Sequence, residues 1–229
     1  MIVSHSRRFI FLKTKKTAGS SLELALAQFC SEGDIITPAS PDEEPLRVGR
    51  GAQNYRLPLA SRSLVGMVRA SFSRNPERHI GFYNHMPAAQ ARARLGDAVW
   101  SRYFKFAFER NPWDRQVSLY YWRYPDPATR PSFEKFLTDP RWLRTTRNFD
   151  IYTIGGVPAL DFIGRYDRLE EDLRRALDTI GIEATPELPH LKAATRPPGR
   201  DYRGYYTPAT QAIIADIYAD EIDLLGFEF

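Results

Sequence analysis

Two segments carry the side chains best suited to chemistry. The first is Lys13-Thr14-Lys15-Lys16-Thr17-Ala18-Gly19-Ser20-Ser21. It lies between an apolar run over residues 8–12 and a helical stretch that begins near Ser20. At a strand-to-helix junction, free backbone N–H groups and the positive helix end meet at one spot, which suits a phosphate. Gly19 lets the backbone approach an anion closely. Thr17, Ser20 and Ser21 add hydroxyl donors, and Lys16 adds a compact charge. The loop is not Gly-x-x-x-x-Gly-Lys-Ser/Thr, because its lysine precedes its glycine. The competing, purely structural reading is a capped helix after a basic turn: Ser20 with Glu23 fits a capping box.

The second segment is Phe106-Ala107-Phe108-Glu109-Arg110-Asn111-Pro112-Trp113-Asp114-Arg115-Gln116-Val117-Ser118. It also runs from strand into helix, with Arg110 at the strand end and Ser118 inside the helix. An arginine fork grips a phosphate through parallel charge-assisted hydrogen bonds, and a hydroxyl completes the shell. Glu109 would repel that phosphate unless it is turned away or paired with Arg115. A surface ion pair is the alternative role for Arg110. A proton acceptor near neutral pH is supplied best by histidine. Of His5, His79, His85 and His190, the candidate base is His85 in Tyr83-Asn84-His85-Met86-Pro87, just before a helix, with His79 as the fallback. The four histidines have no metal-ligand spacing, and no metal is expected.

Lys16-Thr17-Ala18-Gly19-Ser20-Ser21 resembles the Pro-Lys-Thr-Gly/Ala-Gly-Thr-Ser loop of sulfotransferases that use PAPS (3′-phosphoadenosine-5′-phosphosulfate). The likeness is to the carbohydrate branch that includes heparan sulfate 2-O-sulfotransferase. Lys15 stands where that family has proline, a departure expected to alter loop stiffness more than chemistry. Arg110 to Ser118 resembles the family's strand–Arg-Asn-Pro–x-x-Arg–x-x-Ser motif. The resemblance implies that residues 16–21 bind the 5′-phosphosulfate, that Arg110 and Ser118 bind the 3′-phosphate, and that Lys16 and His85 are catalytic. Residues 190–206, with Lys192, Arg196, Arg200, Arg203 and three tyrosines, are similar to the family's C-terminal loop. Lys192 and Arg196 are its candidate nucleotide contacts.

The elements that must position these groups are legible in outline. Residues 8–12 and 103–109 read as strands, and 162–164 as a third. Helices are expected from Ser20, over 87–95 with Pro87 at the first position and Gly96 as the stop, over 113–123, 132–138 and 168–180, and as one final helix over 208–225. Residues 32–80 read as an irregular insertion or substrate-side region, with 66–78 ambiguous. Strands alternating with helices predict an α/β, P-loop-like three-layer fold with a central, mostly parallel sheet, all in one domain of 229 residues.

Net charge is +4, which suits an anionic ligand without selecting one. The one cysteine, Cys30, excludes an internal disulfide and favours a reducing compartment. No secretory leader and no membrane span are evident, and a cytoplasmic location is expected. The acceptor implied is a hydroxyl of a glycan or glycolipid, with arginines 47, 50, 56, 62, 69, 74 and 78 as a candidate lining for an acidic glycan. Two rival readings are open. A nucleotide kinase would use Asp161 for magnesium. A nucleic-acid-binding protein would use the arginines and aromatics of residues 110–147; no dedicated nucleic acid partner is expected.

Overall fold

The structure is a computed structural model that describes residues 1–184, 186, 188 and 201–229. Its strands are β1 (Ile2–Ser4), β2 (Phe9–Phe11), β3 (Ile35–Ile36), β4 (Phe104–Glu109), a small hairpin of β5 (Thr153–Ile154) and β6 (Val157–Pro158), and β7 (Phe162–Arg165). The main sheet has the order β3-β1-β2-β4-β7. β2 pairs in parallel with β4, and β4 with β7. β1 runs antiparallel to both β2 and β3, so four of the five strands point one way. This is the mostly parallel sheet that the strand–helix alternation predicts.

The helices are α1 (Gly19–Ala27), α2 (Leu64–Ser71), α3 (Glu77–Ile80), α4 (Ala88–Leu95), α5 (Asp97–Arg102), α6 (Pro112–Arg123), α7 (Phe133–Leu137), α8 (Pro140–Leu143), α9 (Phe149–Tyr152), α10 (Leu169–Thr179), α11 (Pro208–Ile217) and α12 (Ala219–Leu225). Strand side chains alternate between faces, and the sequence uses that period to build two cores. Ile2, Phe9, Phe11, Phe106 and Phe108 pack with Leu22 and Leu26 of α1 and Leu173 and Leu177 of α10. Val3, Ile10, Leu12 and Ala107 pack on the other face with Ala88 and Ala91 of α4, Trp100 of α5 and Ile151 of α9. Helices therefore cover both faces of the sheet, giving three layers. A third cluster joins α6, α7, α11 and the aromatic tail through Trp113, Phe136, Tyr218 and Phe227.

Gly164 shows how tightly the sheet face is packed. A Cβ there would stand 2.5 Å from Cε1 of Phe108, so only glycine fits on the neighbouring strand. Cys30 is buried, and burial pushes its thiol up to about 12.

Three local expectations change. The Ser20–Glu23 capping box does not form: the N-cap is Ala18 at φ 58, with no side-chain cap. Glu23 instead turns into the core and pairs with Lys13 Nζ at 2.7 Å and the Met1 amino group at 2.8 Å. The single helix over 208–225 is two, α11 and α12, separated at Tyr218. Pro87 is the N-cap of α4 rather than its first helical residue, and Gly96 at φ 80 ends it as expected. Residues 32–80 hold β3, α2, α3 and two 3-10 turns.

Candidate active site

The three parallel strands β2, β4 and β7 deliver their carboxyl ends to one cavity of about 1540 Å³. The loop after β2 contributes Lys13 to Ser21. The end of β4 contributes Arg110, and the turn after β7 contributes Tyr166 to Arg168. Open parallel sheets bind ligands in just this crevice, outside the carboxyl ends of their strands. Lys16, Thr17, Ala18, Gly19, Ser20, Ser21, His85, Arg110 and Ser118, from distant parts of the chain, all line it. His79, the fallback base, does not line it. Lys192 and Arg196, with His190 and Arg200, lie outside the described residues.

The loop after β2 is held by its surroundings in a strained conformation. Lys16 and Ala18 have φ 62 and 58, in the left-handed region that non-glycine residues seldom occupy. Strained backbone of this kind survives where neighbours over-determine it and concentrates at ligand sites. The neighbours are visible. Thr14 Oγ1 donates to the Phe108 carbonyl and meets Thr17 Oγ1 at 2.7 Å. Asn148, fully buried, accepts the Lys15 N–H at 2.9 Å and donates to the Lys15 carbonyl at 3.2 Å. Lys15 Nζ adds a bond to the Thr145 carbonyl at 2.9 Å. Thr17 is thus a loop fastener whose hydroxyl is already engaged. The absent Cβ of Gly19 makes room for Lys13, since a Cβ would stand 2.8 Å from Lys13 Cγ. The Lys16 ammonium lies 5.1 Å from the centroid of the cavity-lining Trp122 ring.

Arg110 is oriented before any ligand arrives. Its Nε donates to Asp114 Oδ2 at 2.6 Å, one helical turn away, and its guanidinium lies 4.0 Å from the centroid of Tyr166. Glu109, the carboxylate that threatened a phosphate site, is turned inward and bonded to the fully buried Arg115. Arg115 also bonds Glu221 of α12. With two carboxylates around one guanidinium, burial first and Glu221 second raise the Glu109 carboxyl to about 7.

His85 has φ 62, and its Nδ1 lies 3.0 Å from the Lys13 carbonyl. A carbonyl only accepts, so Nδ1 carries the proton and Nε2 is left with its lone pair. Burial, and next the charge of Lys13, lower the imidazole from the ordinary 6.5 to about 3. The preceding Asn84 is fixed through Oδ1, which accepts from Thr37 at 2.8 Å. Burial alone would raise the carboxyl of Glu23 nearby, but the Met1 ammonium and Lys13 hold it down at about 2.

Asp114, Asn148, Tyr166 and Trp122 are absent from the sequence-based set. Asp114 had a signal, its i,i+4 spacing from Arg110. Asn148 and Tyr166 meet the site only through tertiary contacts and had none. The rival magnesium aspartate is misplaced: Asp161 accepts from the Lys105 N–H at 2.7 Å, at the amino end of β7 and far along the strands from the cavity. Of the arginines proposed to line an acidic-glycan cleft, Arg78 lines the cavity; 47, 50, 56, 62, 69 and 74 do not. Arg47 pairs with Glu44. The arginines of residues 110–147 are largely committed within the molecule: Arg115 is buried, Arg141 pairs with Asp139, Arg147 with Asp220, and Arg123 lies over Trp142.

No helix among the described residues is long and apolar enough to cross a membrane. No protein-family model matches the chain. Among solved structures, the crystal structure of a sulfotransferase from Alicyclobacillus acidocaldarius superimposes with a TM-score of 0.44 and 18% identity, over 97% of this chain and 96% of that one. A curated protein of Archaeoglobus fulgidus, named only "Uncharacterized protein", is 39% identical over 102 residues, which cover 42% of this chain and 83% of that protein. The chain belongs to the same family as this Archaeoglobus fulgidus protein.

Proposed function

We propose that the protein is a sulfotransferase that transfers the sulfuryl group of PAPS to a hydroxyl, with a carbohydrate as the favoured acceptor. The observation that carries this reading is the meeting, in one cavity, of the loop around Lys16, the Arg110–Ser118 pair and His85. Two separate anion sites suit a nucleotide with phosphates at both 5′ and 3′ positions. The donor set fits: a strained loop opening a helix, a lysine, a pre-oriented arginine and a hydroxyl.

PAPS, when bound, supplies a sulfuryl group already activated as an anhydride with phosphate. Arg110 and Ser118 hold the 3′-phosphate and set the register. Backbone N–H groups of residues 17–21 hold the 5′-phosphate. Lys16 leaves the Trp122 face and neutralises the negative charge that grows on the departing phosphate oxygen. Nε2 of His85 takes the proton of the acceptor hydroxyl as the new S–O bond forms. The Lys13 carbonyl keeps the proton on Nδ1, so Nε2 carries the reactive lone pair. The products are a sulfate ester and 3′,5′-adenosine bisphosphate.

Calorimetry with 3′,5′-adenosine bisphosphate against ATP–magnesium tests the donor. The reading requires preference for the first; preference for ATP–magnesium overturns it. Transfer from PAPS over a panel of glycans, glycolipids and simple alcohols then identifies the acceptor.

A further inference from the structure

We infer that α2 and the residues that follow it, through Arg74, form a docking surface for an anionic lipid bilayer. This inference is independent of the proposed reaction. From Pro45 to Pro76 the chain has six arginines, at 47, 50, 56, 62, 69 and 74, and no Asp or Glu. Arg47 is buried against Glu44 and Arg56 pairs with Glu77, which leaves Arg50, Arg62, Arg69 and Arg74 outside the ion pairs of the described residues. The same stretch holds seven of the ten large apolar side chains exposed among the described residues: Leu46, Val48, Leu59, Leu64, Val65, Val68 and Phe72. Phe72 is 89% exposed and Leu64 77%. Exposed apolar residues are common singly; their concentration in one segment is not.

The geometry of α2 sharpens this. An ordinary surface helix turns its apolar stripe to the core. Leu64, Val65 and Val68 of α2 and its C-cap Phe72 fall on one arc of about 100°, at the i, i+1, i+4 and i+8 positions, and all four face solvent. The opposite edge, at Gly66, is the one that packs: a Cβ there would stand 3.0 Å from the His79 carbonyl of α3. Arg69 of α2 and Arg74, just beyond its end, are exposed. Among the described residues neither forms an ion pair.

Three occupants could cover such a face, and charge separates them. A second copy would set the exposed Arg50, Arg69 and Arg74 against their own counterparts. An acidic polymer would answer the arginines and leave the apolar arc in water. An anionic bilayer answers both, because apolar side chains enter the acyl boundary while arginines stay at the headgroups. Docking there also has a geometric consequence. α3, against which α2 packs, carries Arg78 on the cavity wall, so a bilayer docked on α2 would lie on the Arg78 side of the cavity.

Flotation with vesicles of phosphatidylcholine, with and without phosphatidylglycerol, tests this on the full chain. Binding is expected to the phosphatidylglycerol vesicles alone. The Val68→Glu/Phe72→Glu pair is expected to abolish it. Arg69→Gln and Arg74→Gln are each expected to weaken it about fivefold. All four side chains are exposed, and circular dichroism checks that each variant keeps its fold. The inference is overturned if phosphatidylglycerol vesicles do not bind, or if binding survives Val68→Glu/Phe72→Glu. It is equally overturned if the protein ignores vesicles but binds heparin or RNA, or self-associates in sedimentation velocity through Phe72.

Discussion

Asn148 clamps Lys15 at two points, accepting its N–H at 2.9 Å and donating to its carbonyl at 3.2 Å. The same Asn148 donates to Glu109 Oε1, and its own N–H donates to Glu221 Oε1 at 2.5 Å. One buried amide thus joins the loop after β2 to the charge cluster at the end of β4. Proline occupies this position in the resembling family and stiffens a loop by fixing φ; here an amide clamp does the stiffening. Lys15→Pro removes the donated N–H and leaves a buried Asn148 oxygen unpaired, a loss of about 1–3 kcal/mol. Asn148→Ala removes both points and is expected to cost more. Urea unfolding of the two variants measures this, and a stabilised Lys15→Pro protein would refute it.

His85 titrates low because burial and Lys13 oppose the imidazolium. Free of ligand, the ring stays neutral down to about pH 3, with Nδ1–H on the Lys13 carbonyl. A base this weak gains strength when a polyanion enters the cavity, since nearby negative charge favours the protonated form. NMR titration of His85 is expected to show its pKa rise on adding 3′,5′-adenosine bisphosphate, and to show no rise in Arg110→Ala at subsaturating ligand. His85→Asn is expected to lose turnover by 10²–10⁴-fold with nucleotide affinity nearly unchanged.

In the proposed reaction Arg110 reads the 3′-phosphate, so its loss is expected to be specific to ligands that carry one. Arg110→Ala is expected to weaken 3′,5′-adenosine bisphosphate by about 10- to 100-fold and to leave 5′-AMP unaffected. Asp114→Asn keeps the arginine but loosens the Nε contact that aims it, so a smaller weakening is expected. Calorimetry on the two ligands decides. Equal losses for both would show that Arg110 acts only on the fold.

The parts of this site visible in sequence are those set by local rules. Alternating Phe and non-Phe residues marked β4, and Asn111-Pro112 marked the start of α6, where Asn111 does cap through Trp113 N–H. β1 escaped because Ile2–Ser4 is too short for a period to show. The capping box at Ser20–Glu23 failed for a physical reason: Glu23 serves as the counter-charge to a buried Lys13, and a long-range pair outweighed a local hydrogen bond. The break at Tyr218 was hidden because apolar periodicity runs through it, while its hydroxyl is committed to Gln116 and Thr146. Asn148 meets the site through Lys15 and Tyr166 through Arg110, from distant parts of the chain, and no spacing in one sequence reveals such meetings.

The cluster of Glu109, Arg115 and Glu221 sets a pH dependence opposite to the usual one. Glu109 is raised from 4.5 to about 7, so the folded state binds a proton that the unfolded chain gives up. Its contribution is full below pH 4.5 and is lost as pH rises through 7. Glu23 works the other way: lowered to about 2, it stabilises above pH 4.5 and is lost as pH falls toward 2. Urea midpoints across pH 4 to 8 should therefore fall less with rising pH in Glu109→Gln than in the unaltered protein. Removing Arg115 as Arg115→Met strands two buried carboxylates and is expected to cost about 3–5 kcal/mol.

Ala18 gives the last test, because its backbone and side chain make opposite demands. At φ 58 a Cβ is strained, yet the position opens α1 and lines the cavity. Glycine tolerates this φ without strain but gains freedom in the unfolded chain, which offsets about 0.4–1 kcal/mol of the relief. Ala18→Gly is thus expected to leave stability level or up to about 1 kcal/mol higher. Valine cannot adopt the left-handed region without steric conflict, so Ala18→Val is expected to lose about 2 kcal/mol or to turn the loop. Turning the loop would displace Lys16, one peptide unit beyond Thr17, from its place by Trp122. Ala18→Val should then bind 3′,5′-adenosine bisphosphate more weakly, whereas Ala18→Gly should bind it as the unaltered protein does. Equal affinity in Ala18→Val would show that the loop's conformation does not govern the anion site.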